Sequence, residues 1–293
     1  MNVLDGKSCS NQIVEQIADS VSTMINRGQK PPHLAAVLVG ENAASQVYVR
    51  NKIRLCDKVG FTSSVIRLPE TTTEKKLLET VNQLNDDDEI DGFIVQLPLP
   101  KNIRADVINL AIAPHKDVDG FHPNNVGRMC LGLNAYLPAT PQGILTLLDS
   151  YDIDISGKKV AILGRSNIVG RPMSILLSQN RKRGNGTVTV LHSRSKNTKS
   201  ELRSSDVIIA AIGSPNFITS DMVKPGAVIV DVGINRVEDS SRKRGYRLCG
   251  DVDFDGVKNK VGWISPVPGG VGPMTVVSLL INTLKAARKE VYE

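Results

Sequence analysis

The sequence predicts an α/β protein of two domains, each an alternation of strands and helices of the parallel βαβ kind. Three observations carry that prediction. The chain has 293 residues, whereas single hydrophobic cores stop growing near ~250–300 residues. Short apolar runs alternate with segments of helical spacing, and strands separated by helices of roughly 10–15 residues build parallel βαβ units. A Pro- and Gly-rich break, PATPQG at 138–143, divides the alternation into two blocks, and the second opens with a strand and a glycine-bounded turn.

The elements follow in order. Residues 8–27 read as a helix whose apolar face is Ile13, Ile17, Val21, Met24 and Ile25. LAAVLVG (34–40) is a buried strand ending at glycine, and 42–59 have helical spacing through Val47, Leu55, Cys56 and Val59. SSVIRL (63–68) is a strand, 73–84 a helix, and DGFIVQLPLP (91–100) contains the next strand. After the break comes a helix to about Ser150. KKVAILG (158–164), TVTVLH (187–192), DVIIAAIG (206–213) and GAVIVDVG (226–233) are strands, with a helix at RPMSILLSQN. EDSSRKRGYR (238–247) reads as an exposed hairpin and 273–288 as an amphipathic helix.

Composition removes several function classes. The sequence is 41% hydrophobic, 4% aromatic and carries a formal charge of +6. No run reaches the ~18 apolar residues of a membrane span. The N-terminus MNVLDGKSCSNQIVEQI has neither the apolar core of a secretory signal nor the arginines of a transit peptide, so the expected compartment is the cytoplasm. Cys9, Cys56, Cys130 and Cys249 form no Cys-x-x-Cys, and no His-x-x-x-His occurs, so neither disulfides nor a metal site is expected. The basic clusters at 181–183 and 242–244 lack interleaved aromatics and read as solvated surface rather than a nucleic-acid face.

GRSNIVG (164–170) follows a strand and opens a helix, the setting in which glycines let backbone approach a pyrophosphate. Ser166 stands where the full fingerprint has its second glycine, so a plain tight turn is the competing reading. The next strand ends LHSRSK, without the acid that an NAD site uses for the ribose 2′-hydroxyl. Ser193, Arg194 and, within the turn, Arg165 suit a 2′-phosphate, which favours NADP. GDVDFDG (250–256) opens like a calcium loop, but Gly262 occupies the position of the bidentate glutamate, and calcium is rejected. Asp119, in the loop DVDG, is either a turn-former or an acceptor for ligand N–H groups.

ASQVYVRNK (44–52) sets Tyr48 and Lys52 four apart, on one helix face, with Ser45 a turn earlier. A lysine that moves protons needs burial or neighbouring donors to lower its pKa; an ordinary exposed lysine shows the same spacing. The short-chain dehydrogenase reading of Tyr-x-x-x-Lys fails, because there the pair follows the dinucleotide turn and here it precedes it.

The order ASQVYVRNK, DGFIVQLPLP, HKDVDGFHPNNVGR, PATPQGI, GRSNIVGRP, VDVGIN and SPVPGGVGPMT resembles, over nearly the whole chain, the bifunctional methylenetetrahydrofolate dehydrogenase/cyclohydrolase family. The resemblance implies a folate-binding catalytic domain at 1–137, completed by a returning C-terminal helix at 273–293, and an NADP-binding domain of the Rossmann type, a dinucleotide-binding fold, at 138–272. It implies NADP⁺-dependent oxidation of 5,10-methylenetetrahydrofolate and hydrolysis of the methenyl product to 10-formyltetrahydrofolate, in a homodimer; the basic surface, independently, would favour polyglutamylated folates. Lys52 is then the proton shuttle, Gln96 helps to keep it neutral, Tyr48 packs on the folate rings and Asp119 receives the pterin. Ser45, Val95, Leu97 and the loop Pro268, Gly269, Gly270, Val271, Gly272 border the substrate. Gly164, Arg165, Ser166, Ser193 and Ile234 fall at cofactor positions. Three rivals are a shikimate-type NADP dehydrogenase, a dehydrogenase without the hydrolase and a non-catalytic binding protein.

Overall fold

In a computed structural model of the chain, the structure describes residues 1–242 and 245–292, apart from the Ala44 side chain. The chain divides into two units, and neither is continuous in sequence. The first unit comprises Asn11–Ala139 and the residues from Val276 onward; the second comprises Met1–Ser10 and Thr140–Thr275.

The first unit holds a three-stranded parallel sheet of order β3-β2-β4, formed by β2 (His33–Val39), β3 (Thr62–Leu68) and β4 (Gly92–Val95). Helices α1 (Gly6–Asn26), α2 (Ala43–Val59) and α3 (Glu74–Asp86) provide the alternation read from the sequence. Asn42 caps α2, its side chain accepting from Ser45 N at 3.0 Å, and Gly60 ends it at φ 80°, a left-handed position that glycine adopts without a Cβ penalty. Leu77, Val81 and Leu84 of α3 pack on Val37, Phe93 and Val95 of the sheet in one buried cluster. An isolated bridge between Phe93 and Asp117 extends the sheet by one residue pair. The stretch 101–137, assigned no element from sequence, contains α4 (Ala105–Ala111) and α5 (Pro123–Cys130).

The second unit is built on a six-stranded sheet of order β1-β11-β8-β7-β5-β6. Its core strands are β5 (Lys159–Leu163), β6 (Thr187–Leu191), β7 (Val207–Ala210) and β8 (Val228–Asp231), all paired in parallel. Helices α7 (Gly170–Ser178) and α8 (Thr198–Ser204) connect β5 to β6 and β6 to β7, while α6 (Ala139–Ser150) precedes β5 and α9 (Phe254–Val257) precedes the last strand. The edge was not legible: β1 (Asn2–Val3) pairs with β11 (Trp263–Ile264), which pairs with β8. Strands β9 (Asn235–Glu238) and β10 (Tyr246–Cys249) form the antiparallel hairpin. Lys243 and Arg244, part of the expected exposed hairpin and basic cluster, lie outside the described residues. The other basic cluster is less free than expected: Arg181 is half-buried and Arg183 pairs with Asp149. The last helix, α10, runs Val271–Ala287. Among the described residues, no helix is long and apolar enough to cross a membrane.

Candidate functional site

The carboxyl end of the first unit's sheet gathers the chemistry. Strand β4 ends at Val95, and Gln96 leaves it with its backbone N–H still donating to Val37 O at 2.9 Å. The Gln96 amide has one possible orientation. Its Nε2 donates to the Leu97 carbonyl at 2.7 Å, which can only accept, so Oε1 faces Lys52 Nζ at 3.0 Å. Ser45 is buried, and its hydroxyl donates to the same Leu97 carbonyl at 3.3 Å, tying the start of α2 to the turn after β4. That hydroxyl is therefore committed to the wall of the site. Val95 likewise packs its side chain in the core. Tyr48, one turn before Lys52, is 45% exposed and displays its ring.

Burial lowers the Lys52 pKa, opposed by the charge of Asp119. Asp119 is pushed up by burial and pulled back by Lys52. Both groups are thus driven toward their neutral forms, and the Cys56 thiol, pushed up to about 12 by burial, stays protonated. The expected part of Gln96 needs correcting. It offers Lys52 an oxygen acceptor, which does not favour a neutral amine. Burial depresses the lysine, while Gln96 fixes one N–H and so aims the remaining lone pair.

Asp119 is set by a hub that sequence reasoning missed. Asp117 accepts from Phe121 N at 3.3 Å, His122 N at 2.7 Å and Asn125 Nδ2 at 2.9 Å. Burial raises its pKa to about 7 despite these bonds. From α10, Asn282 Nδ2 donates to Val118 O at 2.8 Å and Leu137 O at 2.9 Å, clamping the peptide beside Asp119. Gly120 follows at φ +74°, where a Cβ would meet Leu137 C at 2.6 Å. No described side chain or backbone group hydrogen-bonds the Asp119 carboxylate, which leaves it to a ligand. Asn282, polar on the buried face of an apolar helix, was the one available signal.

In the second unit, β5 has β6 on one side and β7 on the other, the switch point at which open α/β sheets bind ligands. The turn after β5 is drawn tight: Gly164 has φ +124°, and a Cβ there would lie 2.2 Å from Ala211 O. Ser166 Oγ accepts from Val169 N at 3.1 Å, capping the entry to α7, and residues 165–168 are exposed. After β6, Arg194 N donates to His192 Nδ1 at 3.1 Å and His192 N to Ser195 Oγ at 3.0 Å. The turn is fixed while Ser193, Arg194 and Lys196 stay exposed. Neither Arg165 nor Arg194 has a carboxylate partner among the described residues. A glycine cradle with unpaired cations fits a phosphorylated dinucleotide, and Lys196 joins the predicted set.

The other residues of this unit are held by buried carboxylates. Asp231, raised to about 6 by burial, accepts from Gly233 N at 3.0 Å, Asp251 N at 2.9 Å and Val252 N at 2.9 Å, fixing the bend that leaves Ile234 51% exposed. Asp251 of the calcium-like motif takes Ile212 N at 2.7 Å, Gly213 N at 3.0 Å, Ser214 N at 2.9 Å and Asn235 Nδ2 at 2.9 Å. Both its oxygens are taken by backbone N–H groups and the Asn235 amide. The loop Pro268–Gly272 is pinned by Lys7 N donating to Gly269 O at 3.0 Å, and Gly6 is needed there because a Cβ would fall 1.7 Å from Gly270 O.

Comparison with known proteins agrees with this geometry. The tetrahydrofolate dehydrogenase/cyclohydrolase catalytic-domain model matches residues 4–119, and the NAD(P)-binding-domain model of the same enzymes matches 138–291. The bifunctional protein FolD of Cytophaga hutchinsonii is 55% identical over 287 residues, covering 98% of this chain and 99% of that protein. The crystal structure of the bifunctional FolD enzyme from Campylobacter jejuni superposes with a TM-score of 0.93 at 46% identity, covering 99% of both chains. The Trypanosoma brucei enzyme, solved with NADP and an inhibitor, gives 0.92 at 35% identity, over 99% of this chain and 98% of that one. The chain belongs to the tetrahydrofolate dehydrogenase/cyclohydrolase family.

Proposed function

We propose that this protein oxidises 5,10-methylenetetrahydrofolate with NADP⁺ and hydrolyses the methenyl product to 10-formyltetrahydrofolate. The observation that carries the reading is the half-buried Lys52 amine, depressed by burial and aimed by Gln96 Oε1 at 3.0 Å. Membership of the family, with full-length relatives that bear the bifunctional name, displaces the shikimate-type reading.

Bound NADP⁺ supplies the acceptor for the hydride of the substrate's bridging methylene. That step asks the protein for orientation rather than proton transfer, since the folate nitrogens carry the resulting cation. Tyr48 offers a ring face to the pterin, and the open Asp119 carboxylate accepts its N–H groups. Hydrolysis is different. Water adds to the methenyl carbon, Lys52 Nζ takes its proton, and as the bond from that carbon to N5 breaks, a proton returns to N5. One proton is released to solvent overall, so the lysine ends as it began. Of the two units, the first binds folate and the second NADP.

The test is one cuvette with protein, 5,10-methylenetetrahydrofolate and NADP⁺, in which NADPH and the methenyl compound are followed separately. NADPH is expected to rise above the enzyme-free rate while methenyl stays below its nonenzymatic level. Methenyl decaying only at its spontaneous rate would leave a dehydrogenase alone.

The exposed guanidiniums predict cofactor choice. Arg194→Ala should lower kcat/KM for NADP⁺ by roughly tenfold or more, since a hydrogen bond to a charged group contributes about 1.5–3 kcal/mol, and leave NAD⁺ nearly unchanged. Equal losses with both cofactors would remove Arg194 from 2′-phosphate recognition. The reading extends to a cytoplasmic homodimer that supplies one-carbon units to purine biosynthesis, for which a monomeric mass in sedimentation would refute the dimer. Polyglutamylated folates suit the basic chain, and binding insensitive to tail length and salt would refute that preference.

A further inference from the structure

Lys116 and His115 adjoin the Asp117 hub, yet the chemistry above uses neither. Both line a cavity of about 360 Å³ within the first unit. Its walls include Ile90 and Asp91, which immediately precede β4, whereas Gln96 immediately follows that strand. At ~3.3 Å per residue the two ends stand on the order of 16 Å apart, so the cavity is separate from the Lys52 site.

Its polar groups are under-used. Tyr136 is 1% exposed and lines the cavity, and its hydroxyl makes no hydrogen bond to a described residue; it is not one of the polar atoms sealed from solvent without a partner, so it opens onto the cavity. Lys116, 5% exposed, donates to Leu84 O at 3.0 Å and Asp87 O at 2.6 Å. An ammonium has three donors, so one remains. Lys289 and Asp88, also on the wall, have no ion-pair partner among the described residues. Asp91 accepts from His33 N at 2.7 Å with one oxygen and meets Lys30 at 3.5 Å with the other. Burial and the charge of Lys116 hold His115 toward its neutral form.

The wall therefore carries two cations and two carboxylates. A lone anion or cation loses at one pair what it gains at the other, whereas a molecule bearing both charges gains at both. The volume lies near the low end for ligand pockets, ~300–1,000 Å³. We propose that this cavity binds a small zwitterion of the amino-acid class, its carboxylate held by Lys116, Lys289 and the Tyr136 hydroxyl and its ammonium by Asp88 and Asp91. An occupant would also touch Tyr292, whose hydroxyl bonds Asn125 Oδ1 at 2.9 Å, one residue removed from the Asp117 hub.

The test is titration of the full chain, by calorimetry and amide chemical shifts, with glycine, β-alanine and γ-aminobutyrate, against acetate and methylammonium. At least one zwitterion should bind saturably in the millimolar range, with shifts at Asn125 and Asp117, and at least tenfold more tightly than either single-charge probe. Tyr136→Phe should weaken it by several-fold to tenfold, as loss of one hydrogen bond implies. The surface change Asp88→Asn should also weaken it, and serves should Tyr136→Phe fail to fold. No saturable zwitterion binding, equal binding of acetate, or unchanged affinity in the folded variants would each overturn the proposal.

Discussion

Lys52→Met should abolish hydrolysis of the methenyl compound while folate binding survives. General acid–base help contributes on the order of 10²–10⁴-fold, and the variant removes the amine that Gln96 aims and burial depresses. Hydride transfer should fall much less, because no proton moves in it. In the wild-type protein the same amine sets a pH dependence. A lysine pKa lowered on folding leaves the neutral base present above that depressed value, so the hydrolase rate should fall as pH drops through it. The dehydrogenase rate should not follow that profile. Full cyclohydrolase activity in the variant, measured by loss of methenyl absorbance, would remove Lys52 from the mechanism.

Asp251→Ala should unfold the second unit at much lower temperature than the wild type. The side chain is fully buried and collects three backbone N–H groups and the Asn235 amide. Each donor left unpaired costs about 1–3 kcal/mol, so the total should exceed about 4 kcal/mol, among the larger effects of single substitutions. For a unit of this size that is on the order of 10 °C in Tm. Asp253, two residues on, is the control. It caps α9 by accepting from Gly256 N at 3.2 Å, and losing a cap costs only about 1 kcal/mol. Equal melting temperatures for the two alanine variants would show that the hub is not what holds the end of β7.

Those aspartates also show where the sequence stopped being readable. Helical periodicity found the long helices, and short apolar runs found every four- to seven-residue strand of the two main sheets, most of them buried on both faces. They missed α4 and α8, seven residues each, and the two-residue strands β1 and β11. Such segments contain too little repeat to register. In β1 the cause of the structure is a partner near residue 263, far away in the chain. The site behaves likewise. Lys52, Gln96 and Asp119 came from motif order, but the hub roles of Asp117, Asp231 and Asp251 depend on which backbone N–H groups converge on them. DVDG and GDVDFDG each offer several acids, and spacing does not say which one is buried. Ser45, placed beside substrate by resemblance, spends its hydroxyl on the Leu97 carbonyl.

The discontinuity of the two units has a consequence for synthesis. The second unit needs Asn2 and Val3 at one edge of its sheet and Trp263 and Ile264 beside them, while the first draws on residues from Val276 onward, including the Asn282 clamp on the Asp119 loop. Domains ordinarily fold one after another as they leave the ribosome. Here the second unit is completed only when the chain has reached Thr275, and the first only with the residues from Val276 onward. Ribosome-stalled chains ending near residue 250 should accordingly be cut by protease in both blocks. Protection of the second unit should appear only after residues 263–275 have emerged, and that of the first only after those from Val276 onward.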